Sequence, residues 1–165
     1  MPAQGAERCK GEALRPTSSN ALAVEHATLC LIDGIRAAHH LQALRMNNQL
    51  VGVAISQVET MVAWDYFSDV RPSGQTPLSL IDVTGYPAKA ADVAVGQNIA
   101  WGTGNYSTPA HIVAEWMAST PHRQIILTGA YRDAGVAVKP GVPAVVHPEG
   151  HPGATYAMEF AVRRY

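Results

Sequence analysis

The hydrophobic period of this chain changes along its length, and that change limits the folds open to it. Helical spacing dominates the early part, and strand-like alternation dominates the end. Val24, Ala27, Leu31, Ile35 and Ala38 recur on one helical face behind the cap candidates Ser18, Ser19 and Asn20. This helix is predicted to end near His39-His40. Asn47-Asn48 opens a second, longer helix with Leu50, Val53, Gln57, Met61 and Trp64 on one face, ending near Phe67. Arg71-Pro72-Ser73-Gly74 reads as a loop. Thr76-Pro77 and Thr108-Pro109 each set a cap before a proline at the first helical position. They predict one helix running to Gly85 and another through Ser119, and Thr120-Pro121 starts a short helix closed by Gly129. Residues 93–100, 134–139 and 155–162 read as strands, with turns at Pro140-Gly141-Val142-Pro143 and His147-Pro148-Glu149-Gly150. The pattern predicts an α+β domain with helices packed on a small, mainly antiparallel sheet.

With 165 residues, 47% of them hydrophobic, the chain suits one domain that buries roughly 70% of its unfolded surface. A formal net charge of -1 argues against nucleic acid and anionic membrane surfaces, which demand concentrated Lys and Arg. No apolar run approaches the ~20 residues that span a bilayer. Met1-Pro2-Ala3-Gln4-Gly5-Ala6 lacks the apolar core of a signal peptide and reads as a mature N-terminus behind an initiator Met. Secretion is therefore argued from the two cysteines. Cys9 lies in an irregular arm, residues 1–18, and Cys30 lies in the first helix of the domain proper, residues 19–165. The alternative is two unrelated thiols. An even count, and an arm with little else to hold it, favour a disulfide and an oxidising compartment. A closure of this length contributes about 3 kcal/mol in the loop-entropy model. Two isolated cysteines make a poor zinc site.

Several short segments fall in a familiar order. Cys30-Leu31-Ile32-Asp33-Gly34-Ile35-Arg36 resembles a "CLIN..R" helix, Tyr66-Phe67-Ser68-Asp69 a "YFSH" ending, and Gly96-Gln97-Asn98-Ile99-Ala100 a "GENIA" strand. The run from Trp116 to Arg123 resembles "WM.SP.HR", with Ile126-Leu127 after it as in "NIL". Ala134 to Val138 resembles "GVGV", and Tyr156 to Phe160 a closing aromatic strand. Together these resemble the CAP superfamily of cysteine-rich secretory, antigen 5 and pathogenesis-related proteins, in its compact bacterial SCP-like branch. The resemblance covers roughly residues 20–162 and implies an α-β-α sandwich.

The resemblance also implies a central cavity with two histidines and acidic residues, and in some members the histidines bind zinc. Here the first histidine position is Asp69, the "GENIA" glutamate is Gln97, and the second histidine is retained as His122. A further family glutamate would align near Ser119. Neutral Gln97 cannot accept a proton as a glutamate would. Asp69 and His122 supply only a weak two-ligand zinc site, completed by water. The simpler expectation is an Asp69–His122 ion pair with Gln97 hydrogen-bonded beside it. His111 with Glu115 reads as a surface pair, His147 and His151 as solvated turn residues, and Trp64, Trp101 and Trp116 as core or pocket-wall aromatics. The expectation is a secreted binding or scaffold module without cofactor or catalysis, using the Asp69, Gln97 and His122 cavity. Its ligand is a lipid, a glycan or a peptide, and its oligomeric state is left open. The alternative is a His122-centred hydrolase or peptidase, metal-assisted or not. Thiol titration of the denatured, unreduced protein is expected to find no free thiol, and two titratable thiols would refute the disulfide and weaken the argument for secretion.

Overall fold

The computed structural model describes residues 7–148 and 150–165. The readings of Met1–Ala6 as a mature N-terminus and of Glu149 as part of a turn lie outside the described residues. Five helices form: α1 (Ala21–Ala38), α2 (Asn48–Ala63), α3 (Pro77–Asp82), α4 (Pro109–Ala118) and α5 (Thr120–Ile126). Four strands form: β1 (Arg45–Met46), β2 (Asp92–Thr103), β3 (Asp133–Pro140) and β4 (Gly153–Arg164). Short 3-10 turns cover Gly104–Ser107 and Ala144–Val146.

The caps explain most helix starts. The Asn47 side chain accepts from the N–H groups of Gln49 and Leu50. Thr76 and Ser79 form a reciprocal capping box, with Pro77 in the first turn. Thr108 accepts from the His111 N–H. Two starts differ from expectation. Asn20 stands at the cap of α1, but its side chain serves the arm instead, accepting from the Thr17 N–H and donating to the Arg15 carbonyl. In α5 the cap is Ser119, one residue before the sequence signal, and Thr120 is already helical.

Two helix ends also come early. α2 stops at Ala63 because Asp65 takes a left-handed conformation, φ 54°. Trp64 is thereby turned off the packed face and is 55% exposed, which corrects its reading as a core aromatic. α3 stops at Asp82, and the chain reverses through Gly85 at φ 84°, a conformation that favours glycine.

The sheet order is β1-β3-β4-β2, with β3–β4 and β4–β2 antiparallel and the two-residue β1 parallel to β3. Alternation along β4 feeds both faces. Tyr156, Met158 and Phe160 pack with Val24, Ile32, Ile112 and Trp116, from α1 and α4. Ala157 packs with Ala54, Val58 and Met61, from α2, and Ala161 packs with Leu50, Ile81 and Tyr86. Gly135 of β3 lets α2 lie directly on the sheet, since any side chain there would meet the Leu50 and Val51 backbone. The result is an α-β-α sandwich. Cys9 and Cys30 form a disulfide across 21 residues, and no cysteine is free among the described residues. The arm is held further by Ala110 N–H to the Glu12 carbonyl at 3.0 Å, and by Arg15 to Asn105.

Arg36 of α1 is fully buried. Its guanidinium donates to the carbonyls of Gln42, Ile126 and Thr128 at 2.9 Å each, and of Tyr131 at 3.1 Å. Burial lowers its pKa from the ordinary value. Only a planar fork reaches four carbonyls in different directions, so lysine is not an equivalent. Arg36→Ala is expected to lower unfolding free energy by about 3–5 kcal/mol. Arg36→Lys is expected to recover less than half of that loss, as read from the denaturant midpoint.

Candidate functional site

A cleft of about 660 Å³ runs along the outer edge of β2. Strand alternation gives it two walls. Ile99, Trp101 and Thr103 face the α2 side, with Phe67 and His147 beside them. Opposite stand Glu115, Trp116, Ser119 and His122 of α4, α5 and their junction, with Tyr106 of the 3-10 turn. That turn folds tightly over Gly102, where a side chain would collide with the Tyr106 carbonyl. Trp116 Nε1 donates to the Ile99 carbonyl at 3.0 Å and closes the cleft floor.

The structure brings Asp69 and Gln97 together, with Gln97 Nε2 donating to Asp69 Oδ1 at 3.0 Å. His122 reaches the cleft from α5. Its ring Nδ1 lies 2.9 Å from Ser119 Oγ, and its carbonyl accepts from Asn98 Nδ2 at 3.1 Å. Among the described residues no ion pair joins Asp69 to His122. The expected pair is therefore corrected. Successive β2 side chains point to opposite faces, so Gln97 draws Asp69 toward the α2 side while Asn98 holds α5 on the other.

Trp101, Tyr106, Glu115 and His147 also line the cleft. His147 lines the cleft while staying exposed, in keeping with its reading as a solvated turn residue, and it takes a left-handed conformation at φ 51°. His111 and Glu115 do form the expected pair, at 3.1 Å. Trp101 stands on the wall, as its reading as a core or pocket-wall aromatic expects, and shares strand parity with Gln97 and Ile99.

The donor set does not fit zinc. Among the described residues no group of three or more His, Cys, Asp or Glu side chains can hold a metal ion. Asp69 is engaged by an amide, and the nearest polar partner of His122 is a hydroxyl.

Behind the cleft lies a buried polar cluster that sequence reasoning missed. Glu159 of β4 sits opposite Gln97 of β2 and Gly135 of β3 and has no exposed surface. Among the described residues neither carboxyl oxygen has a hydrogen-bond partner, and Gln97 Oε1 and Arg71 Nη2 are also unpartnered. Arg71 Nε donates to Gln57 Oε1 at 3.3 Å, and Gln57 Nε2 donates to the Ser68 carbonyl at 2.9 Å. Burial, then the Asp69 charge, push the Glu159 carboxyl well above its ordinary value of 4.5, and Arg71 opposes them only in part. Glu159 is thus neutral in the folded chain at a pH where the unfolded chain has ionised it. The folded state is favoured below the unfolded value, and this contribution is lost as pH rises through the folded one. Glu159→Gln keeps the shape and removes the titration. It is expected to raise unfolding free energy by about 1–3 kcal/mol at pH 8 and to change it little at pH 4, read by denaturant unfolding at both values.

Residues 29–143 match the family model described as CAP, the cysteine-rich secretory protein family. Among solved structures, an SCP-domain extracellular protein from Bacillus anthracis superposes with TM-score 0.64 at 23% identity, covering 91% of this chain and 44% of that one. An outer surface protein of Borrelia burgdorferi superposes with TM-score 0.64 at 15% identity, covering 82% of this chain and 90% of that one. A cysteine-rich secretory protein of Staphylococcus aureus gives TM-score 0.57 at 14% identity, covering 88% and 40%. The chain thus spans less than half the length of the Bacillus and Staphylococcus proteins. At these identities the superpositions establish a shared fold, and no curated protein matches the sequence. The family match covers well over half of the chain, and the chain belongs to the CAP family of cysteine-rich secretory proteins.

Proposed function

We propose that this chain is a secreted, non-catalytic binding module whose ligand occupies the cleft beside β2. The observation that carries this reading is the composition of the walls. Phe67, Trp101, Tyr106 and Trp116 surround a few convergent polar groups, chiefly Ser119 and His122. Concave, mostly aromatic sites with sparse polar groups are the usual form of ligand pockets. In this reading His122 contacts ligand directly, while Asp69 and Gln97 brace the α2 wall from behind. The disulfide supports an oxidising, extracellular setting. Among the described residues no helix is long and apolar enough to cross a membrane.

The Ser119–His122 hydrogen bond is the one contact that favours a hydrolase. A hydrolytic histidine needs an orienting acid. Among the described residues no carboxylate bonds to His122: Glu115 is on His111, and Asp69 is on Gln97.

The test is an NMR titration of the intact protein with three probes: fatty-acid micelles, chito-oligosaccharides and a blocked hexapeptide library. At least one class is expected to move the resonances of Trp101, Tyr106 and His122, and Trp101→Ala is expected to weaken that binding about tenfold, or about 1.4 kcal/mol. No movement at the cleft with any class refutes the binding site. Peptide or ester hydrolysis abolished by Ser119→Ala would replace binding with catalysis.

A further inference from the structure

β2 is the outermost strand of the sheet beside the cleft. In the register that pairs Thr103 with Gly153, the Gly104 N–H donates to the Pro152 carbonyl at 2.8 Å. Even-numbered residues of β2 therefore direct their N–H and C=O groups at β4, and odd-numbered residues direct theirs away from the sheet. The Trp116 indole confirms this direction by donating to the outward Ile99 carbonyl. Two residues further on, half-buried Trp101 turns both its N–H and its C=O toward the cleft. Thr103 turns its N–H the same way, while its carbonyl is committed to the 3-10 turn that it caps. Among the described residues the cleft therefore contains a short stretch of unpaired strand edge at the ladder's own spacing.

We propose that the ligand of this cleft is an extended peptide that adds a strand to β2 at Trp101 and Thr103 and directs a Lys or Arg side chain toward Glu115. This rests on the cleft being the binding site. Three features favour a peptide. First, the outward groups alternate donor, acceptor and donor along the edge, as an added strand requires. A lipid chain would leave them buried without partners. Second, side chains of an added strand alternate between two faces, and the cleft has two unlike walls on those faces. One is Phe67, Ile99, Trp101, Thr103 and His147, which suits apolar side chains. The other holds Glu115, Ser119 and His122, which suits polar ones. Third, Glu115 is the one carboxylate among the lining residues, no Lys or Arg lines the cleft beside it, and His111 engages only its Oε1, which leaves Oε2 for a basic side chain. The site is charge-complementary to a basic side chain on the polar-wall positions.

The test uses the intact, oxidised protein and blocked hexapeptides that alternate Val, Ile or Tyr with Lys, Ser or Glu. Lys-containing members are expected to bind at least tenfold more tightly than their Glu counterparts, and Glu115→Gln is expected to erase that preference. Bound peptide is expected to slow hydrogen exchange at the Trp101 and Thr103 amides at least tenfold. N-methylation of the peptide at alternate residues separates backbone pairing from side-chain contact without altering the protein. Methyl groups on the residue facing Trp101 are expected to abolish binding, while methyl groups one position along leave it within threefold. Binding insensitive to methylation at both positions, or saturation without protection of Trp101, overturns strand addition. If no hexapeptide binds while a glycan or fatty acid moves the Trp101 and His122 resonances, strand addition fails and the cleft stands. If no class moves them, both fail.

Discussion

The buried guanidinium of Arg36 is the point on which the layers depend. A charge inside a protein is tolerable only when its donors are met, and here backbone carbonyls meet four of them. Those carbonyls belong to the chain after α1, the end of α5 and its exit, and the approach to β3. One side chain thus ties three junctions together. Fixing the end of α5 also fixes its start, seven residues of helix away, where Ser119 and His122 face the cleft. The link from a helix motif to a distant wall is mechanical, through one short rigid element.

Much of this architecture was legible because local chemistry and tertiary packing agree. The Thr-Pro pairs mark α3 and α4, and Asn47 caps α2 as its sequence position implies. The strand alternation of residues 155–162 matches a strand buried on both faces. Failures occur where a feature is too short or too distant to leave a local signature. β1 has two residues, fewer than any periodic pattern needs. Trp64 kept helical phase with Met61, yet a left-handed Asp65 ended the helix beneath it. Positive φ at a non-glycine residue leaves little trace in sequence. The helix start at Ser119 left no capping signature, since its hydroxyl bonds the His122 ring and makes no cap hydrogen bond.

The candidate site was less legible than the fold, for an electrostatic reason. Replacing a family glutamate by Gln97 looks, in sequence, like loss of an acid. In three dimensions Glu159 lies directly across the ladder from Gln97, so the acidic group is displaced by one strand and remains in the neighbourhood. There it is sealed from water and held neutral, so it cannot serve the cleft as a charge. Asp69, the other acid, is exposed and spends one oxygen on the Gln97 amide. Linear motifs record residue identity at a position. They do not record cross-strand neighbours, and those decide where the charge resides.

The N-terminal arm has a role beyond covering α1. Arg15 grips Asn105, the residue before Tyr106, and the Glu12 carbonyl receives the N–H of Ala110 at the start of α4. The same arm is riveted to α1 through Cys9. The rim of the cleft is therefore anchored through a covalent bond that exists only under oxidising conditions. Reduction would free one end of that anchor and give Tyr106 more room to move. The precision of the binding surface then becomes a property of the compartment the protein occupies as well as of its sequence.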